Sequence, residues 1–67
     1  MNVESIGNLA GVVWCALNDS KGAMTLKNLR KATKLKVSDM HLGIGWLAKE
    51  GKLAFNDVDG DVEISLL

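Results

Sequence analysis

The chain contains no proline, one cysteine, one histidine and one phenylalanine in 67 residues. A lone cysteine, Cys15, cannot close an internal disulfide, and with the single His41 it cannot assemble a zinc site. Long apolar runs are also lacking. The longest uncharged one, Leu9 to Leu17, spans nine residues, far short of the ~20 that cross a bilayer. The opening MNVES carries no basic n-region of the kind that marks a secretory signal. These absences exclude a disulfide-stapled secreted scaffold, a zinc-dependent fold and a membrane span. A reducing, cytoplasmic setting is the expectation.

What is present is ordinary for a folded domain: 48% hydrophobic residues, 24% charged and seven glycines. Disordered and collagen-like sequences are excluded. The length allows a single domain, residues 1–67. Such a chain buries only about 60% of its unfolded surface. With no disulfide or metal to help, association with a second copy is the expected source of further burial. A cofactor-sized pocket is hard to fit into so few residues, so no cofactor, metal or small-molecule ligand is expected. No Ser/His/Asp set, phosphate-cradling loop or paired carboxylates can be found, and an enzyme is not expected.

The formal charge is zero, yet it is unevenly spread. Glu4 and Asp19 are the only charges in residues 1–20. Residues 21–36 carry Lys21, Lys27, Arg30, Lys31, Lys34 and Lys36 with no acid. Residues 37–67 carry Lys49 and Lys52 against Asp39, Glu50, Asp57, Asp59, Asp61 and Glu63. The basic block reads either as a solvated face or as a phosphate-facing patch.

Periodicity predicts a helix from about Val3 to Leu17, capped by Asn2, with a core stripe of Ile6, Leu9, Ala10, Val13, Ala16 and Leu17. Its other side holds Gly7, Gly11, Val12, Trp14 and Cys15 rather than polar residues. A helix apolar all round is buried all round, so the expectation is a homodimer through this helix, with Ile6, Gly7, Ala10, Gly11 and Trp14 near the interface. Coverage by a wing strand or the C-terminus is the alternative. Cys15 is expected to be packed as a small hydrophobe.

A polar loop with Gly22 leads to a short strand near Met24. Thr25 caps a second helix, Leu26 to Lys34, with Leu26, Leu29 and Ala32 inward and Lys27, Arg30, Lys31 and Lys34 outward. After the turn Leu35–Val37, Ser38 is expected to cap a third helix that runs to about Glu50 and ends at Gly51. Met40, Ile44 and Leu47 face inward in this reading. Asp39, His41, Leu42, Gly45, Trp46 and Lys49 face outward, with Leu42 and Trp46 outward or half-outward as a packing or protein-contact surface. Gly43 and Gly45 either admit a neighbouring backbone or loosen the helix.

Lys52 to Val58 and Asp61 to Leu66 flank Asp59-Gly60, a strong hairpin signal. A two-residue loop pairs Val58 with Asp61, Phe55 with Ile64 and Leu53 with Leu66, and these are expected to share one face. Three helices followed by a hairpin make an α+β winged helix-turn-helix: a C-terminal two-stranded wing and a short third strand near Met24. The acidic string from Asp57 to Glu63 fails as an EF-hand loop, because Gly60 precedes the third acid and no distant Glu follows.

The run GWLAKEGKLAF, residues 45–55, resembles the end of the recognition helix and the start of the wing in winged-helix proteins. Leu47, Gly51 and Leu53 match the core leucine, the terminating glycine and the first apolar wing residue. The whole chain resembles a family of short bacterial and archaeal winged helix-turn-helix proteins of unknown function. The arrangement points to double-stranded DNA as partner. Phosphate contact is expected from Lys27, Arg30, Lys31, Lys34 and Lys36, and groove proximity from Ser38, His41, Leu42 and Lys49. Against this, the third helix offers no Arg, Asn or Gln to read bases, and the wing tip is acidic. The alternative is a dimeric protein-interaction module on the same fold, without nucleic acid.

Overall fold

The computed structural model describes residues 2–67. Helix α1 (Val3–Ser20) is followed by strand β1 (Met24–Thr25), helices α2 (Leu26–Thr33) and α3 (Val37–Lys49), and strands β2 (Leu53–Val58) and β3 (Asp61–Leu66). The strands form one antiparallel sheet in the order β1-β3-β2. This is a winged helix-turn-helix, with the third strand where Met24 placed it.

Local chemistry accounts for most element ends. The Asn2 side chain accepts the Ser5 N–H at 2.8 Å, and Thr25 Oγ1 accepts the Asn28 N–H at 3.2 Å. Each satisfies an orphan donor of a first turn. Helix α1 runs one turn past the predicted Leu17. The Ser20 hydroxyl donates to the Leu17 carbonyl at 2.8 Å, and Lys21 closes the helix in the left-handed region at φ 56. Helix α2 stops at Thr33, with Lys34 left-handed at φ 58. The expected Ser38 cap is not formed. Lys36 occupies the N-cap position of α3 without a side-chain bond, because the helix already starts at Val37. At the other end, the Gly51 N–H donates to Ala48 O and the Lys52 N–H to Leu47 O, both at 3.0 Å. With Gly51 at φ 70, this is a Schellman ending.

The core gathers Ala10, Val13 and Leu17 of α1, Leu29 of α2, Met40, Ile44 and Leu47 of α3, and Leu53 and Ile64 of the sheet. Ile6, Leu9 and Ala16 are half-buried. Ala32 is exposed rather than inward, and Thr33 takes the half-buried place one residue on. The Thr33 hydroxyl donates to the Leu29 carbonyl at 2.9 Å, which disposes of its polarity. Gly43 marks the crossing of α1 and α3. A Cβ there would stand 2.8 Å from Leu9 O and 2.9 Å from Leu9 C, so close backbone approach is the role of this glycine. A Cβ at Gly45 would meet nothing within 4 Å.

The hairpin register is the expected one: Leu53 opposite Leu66, Phe55 opposite Ile64, Val58 opposite Asp61. The turn residues Asp59 and Gly60 have φ 39 and 81, as a primed two-residue turn requires. The shared face needs correcting. Side chains alternate along a strand, so Val58, three residues from Phe55, lies on the opposite face with Ala54 and Asn56. Phe55 does share a face with the fully buried Ile64, yet it remains 51% exposed. Ile64 sits under α1 and α2, whereas β2 is an edge strand that only α3 touches appreciably.

Candidate nucleic-acid interface

Helix α2 is short and held by one deep anchor. Leu29 is completely buried, which turns the opposite side of the helix to solvent. Lys27, Arg30 and Lys31 are exposed there. The turn into α3 is fixed by Leu35, packed against the core, and by the Leu35 N–H donating to Thr33 Oγ1 at 3.4 Å. Lys34 and Lys36 flank that anchor and are both exposed. Five cations therefore lie along one helix and its following turn. Among the described residues the one ion pair joins Lys52 to Glu50 at 4.0 Å, so none of the five is neutralised by a carboxylate.

Lys36 stands at the positive end of α3, where a cation is disfavoured and an anion welcomed. Asp39 in the first turn is half-buried and offsets part of that field. Farther along α3, Ser38, His41, Leu42 and Lys49 are exposed as expected. Trp46 is not. It is half-buried and packs against the core, so the outward face of α3 is narrower and more polar than its sequence suggests. The wing presents Asp57 and Asp59 to solvent. Asp61 is turned inward on itself, its Oδ1 accepting the Val62 N–H.

Of the residues expected near a dimer interface, Gly11 and Trp14 are exposed and Ile6 and Gly7 half-buried. Ala10 belongs to the core, 3% exposed, because the α3 crossing covers it. Cys15 is exposed rather than packed, because it lines an open groove beside α1 instead of the core. Sequence reasoning missed a shallow groove of about 290 Å³ running beside α1, with Trp14 and Trp46 among its walls and Glu50 and Lys52 at its rim. The two tryptophans on an apolar helix and on the helix crossing it were the available signal. Among the described residues no three His, Cys, Asp or Glu side chains gather to hold a metal ion. No helix among them is long and apolar enough to cross a membrane.

Helix-turn-helix plus hairpin defines the class: a winged-helix domain carrying a basic second helix. The chain belongs to the winged helix-turn-helix domain family DUF2582, whose model matches residues 1–66. Its fold is similar to that of protein BT2368 from Bacteroides thetaiotaomicron, known from a solution NMR structure. The TM-score is 0.85 with 33% sequence identity, over 98% of this chain and 79% of that one. No curated protein matches the chain.

Proposed function

We propose that this protein is a small cytoplasmic DNA-binding module of the transcription-regulator type, without catalytic activity. Lys27, Arg30, Lys31, Lys34 and Lys36 contact phosphates, and α3 approaches the major groove through Ser38, His41, Leu42 and Lys49. The observation that carries this reading is the five exposed cations on α2 and its turn, none of them paired with an acid. In winged helices this edge lies beside the duplex backbone while the third helix enters the groove.

The same surface sets the kind of binding. Base edges are read chiefly by Arg, Lys, Asn and Gln, and the exposed part of α3 supplies only Lys49 from that set. Affinity then comes mainly from phosphate contact, with modest sequence discrimination. The acidic wing tip stays off the duplex. The module acts as a homodimer joined through α1, as the size of the domain and the apolar character of that helix suggest.

The test is a charge reversal on the patch. Arg30→Glu with Lys34→Glu is expected to abolish binding to a duplex while circular dichroism stays unchanged, since both side chains are exposed. Binding that survives the double reversal would remove the patch from the interface. A wild-type chain that binds no duplex even at low salt would favour the protein-interaction module.

A further inference from the structure

The groove beside α1 has no part in the nucleic-acid reading. It encloses about 290 Å³ and is apolar along most of its length. Trp14 of α1 and Trp46 of α3, the two indoles of the chain, both line it. Ala10 and Leu47, buried in the core, give it an aliphatic floor. Gly7 and Gly11 line it as well, and a Cβ built on either meets nothing within 4 Å. Neither glycine is needed for packing inside the chain. Larger residues would favour the helix and would fill the hollow.

The polar end is built by the turn that closes α3. The Gly51 N–H donates to Ala48 O and the Lys52 N–H to Leu47 O, both at 3.0 Å. This reversal sets Glu50 and Lys52 side by side, with Nζ 4.0 Å from Oε1. Both side chains are about half exposed, so the pair contributes little to the fold and opens at small cost. These are the only charges among the described residues that line the groove. Helix α1 adds none between Glu4 and Asp19.

Such a rim selects by charge. A simple cation meets Glu50 but is repelled by Lys52, and a simple anion meets the reverse. A zwitterion finds a partner for each charge. In an α-amino acid the ammonium and carboxylate are joined through one carbon and stand roughly 3 Å apart. That is close to the 4.0 Å between Lys52 and Glu50, so the four groups close into a square of alternating charge. The negative end of α3, at Glu50, adds to the attraction for the ammonium. An aromatic side chain then reaches the indoles, which pack against another ring at centroid distances of about 4.5–7 Å. The volume lies at the lower limit of small-molecule sites, which suits one ring and its head group.

We propose that this groove binds a free aromatic α-amino acid, with its carboxylate on Lys52, its ammonium on Glu50 and its ring against Trp14 and Trp46. This replaces the expectation of no small-molecule ligand, which was formed before the α1–α3 crossing was known. The inference is independent of the nucleic-acid reading. Gly7, Gly11 and Trp14 also belong to the face ascribed above to a homodimer, so ligand and second copy compete for them. About twelve non-hydrogen atoms, at the efficiency of ordinary ligands, place the dissociation constant of L-phenylalanine on the order of 1 mM.

The full chain at low micromolar concentration, where a second copy competes least, is titrated with L-phenylalanine at neutral pH. The readout is indole fluorescence excited beyond the absorption of phenylalanine. Only Trp14 and Trp46 emit there, since the chain has no tyrosine. A saturable change is expected with a midpoint on the order of 1 mM. Phenylacetate, phenethylamine and glycine, which lack the ammonium, the carboxylate and the ring, should each bind at least tenfold more weakly. Gly11→Leu fills the hollow and Lys52→Glu removes the carboxylate partner. Both positions are exposed, so circular dichroism should match wild type while binding weakens at least tenfold. Arg30→Glu with Lys34→Glu should bind L-phenylalanine like wild type, which separates this site from the DNA reading. No saturable change up to roughly 10 mM, ten times the expected constant, would overturn the site. Equal binding of phenylacetate or phenethylamine would overturn recognition of the zwitterion. Binding unaffected by both Gly11→Leu and Lys52→Glu would put the ligand outside the groove and overturn the proposal.

Discussion

Two alanine substitutions, two residues apart on α3, test how the helices are held. Gly→Ala in a helix interior contributes up to about 1 kcal/mol through propensity alone. At Gly45 nothing lies within 4 Å of the new Cβ, so Gly45→Ala should raise stability by about 0.5–1 kcal/mol. At Gly43 the new Cβ stands 2.8 Å from Leu9 O, 2.9 Å from Leu9 C and 3.1 Å from Ala10 N. All three are backbone atoms of α1, so no rotamer change relieves the clash and the two helices must move apart. Overpacking of this kind costs about 1–3 kcal/mol. Because only backbone can yield, the upper part of that range applies, and after the propensity gain Gly43→Ala should lose about 2 kcal/mol. In a domain of this size, 1 kcal/mol moves Tm by about 4–8 °C. Gly43→Ala should therefore melt roughly 8–16 °C below wild type, and Gly45→Ala a few degrees above it. Far-UV circular dichroism at one fixed protein concentration reads both. A Gly43→Ala variant as stable as Gly45→Ala would refute the close crossing, since propensity is common to the two.

Other predictions follow from single residues. Thr25→Ala removes the hydroxyl that accepts the Asn28 N–H and should cost about 1 kcal/mol, read as a lower urea midpoint with an unchanged m-value. Leu29→Ala empties a completely buried site at a cost of about 2–5 kcal/mol. In a domain with so little reserve, a flat thermal transition and collapsed amide dispersion are expected; a native-like spectrum would mean that α2 is held by something else. Asp57→Asn with Asp59→Asn neutralises the exposed acids of the wing tip and should tighten duplex binding at low salt, chiefly through the association rate. Unchanged or weaker binding would mean that the wing-tip charges, which do not touch the duplex, also lie too far from it to repel it.

The hairpin register was legible to the residue, because Asp59-Gly60 needs positive φ at both positions and the strand pairing is counted outward from it, although Val58 was assigned to the wrong face. The caps at Asn2 and Thr25 were legible for the same reason: a side chain bonding a backbone three residues away is local chemistry. Readings that depended on how helices cross were not. Cys15 was expected inside and is exposed, the part played by Gly43 stayed undecided, and how far Trp46, read as outward or half-outward, would pack against the core was left open. Each is set by the approach of α1 to α3, which no single-helix periodicity contains. Ser38 lost its capping position because α3 begins one residue earlier, at Val37. Within the site, the charge block was plain in the sequence. Its freedom from carboxylate partners was not, since that depends on the acids of α3 and the wing lying elsewhere in space.

The central claim is that the exposed cations of α2 and its turn meet a phosphate backbone. The measurement that bears on it most directly is fluorescence anisotropy of a labelled random duplex titrated with the wild-type chain at several salt concentrations. Five phosphate contacts predict saturable binding, with log K falling against log salt at a slope of about −4 to −5 per protomer. Absence of binding at low salt, where screening is weakest, or a slope near zero, would contradict it.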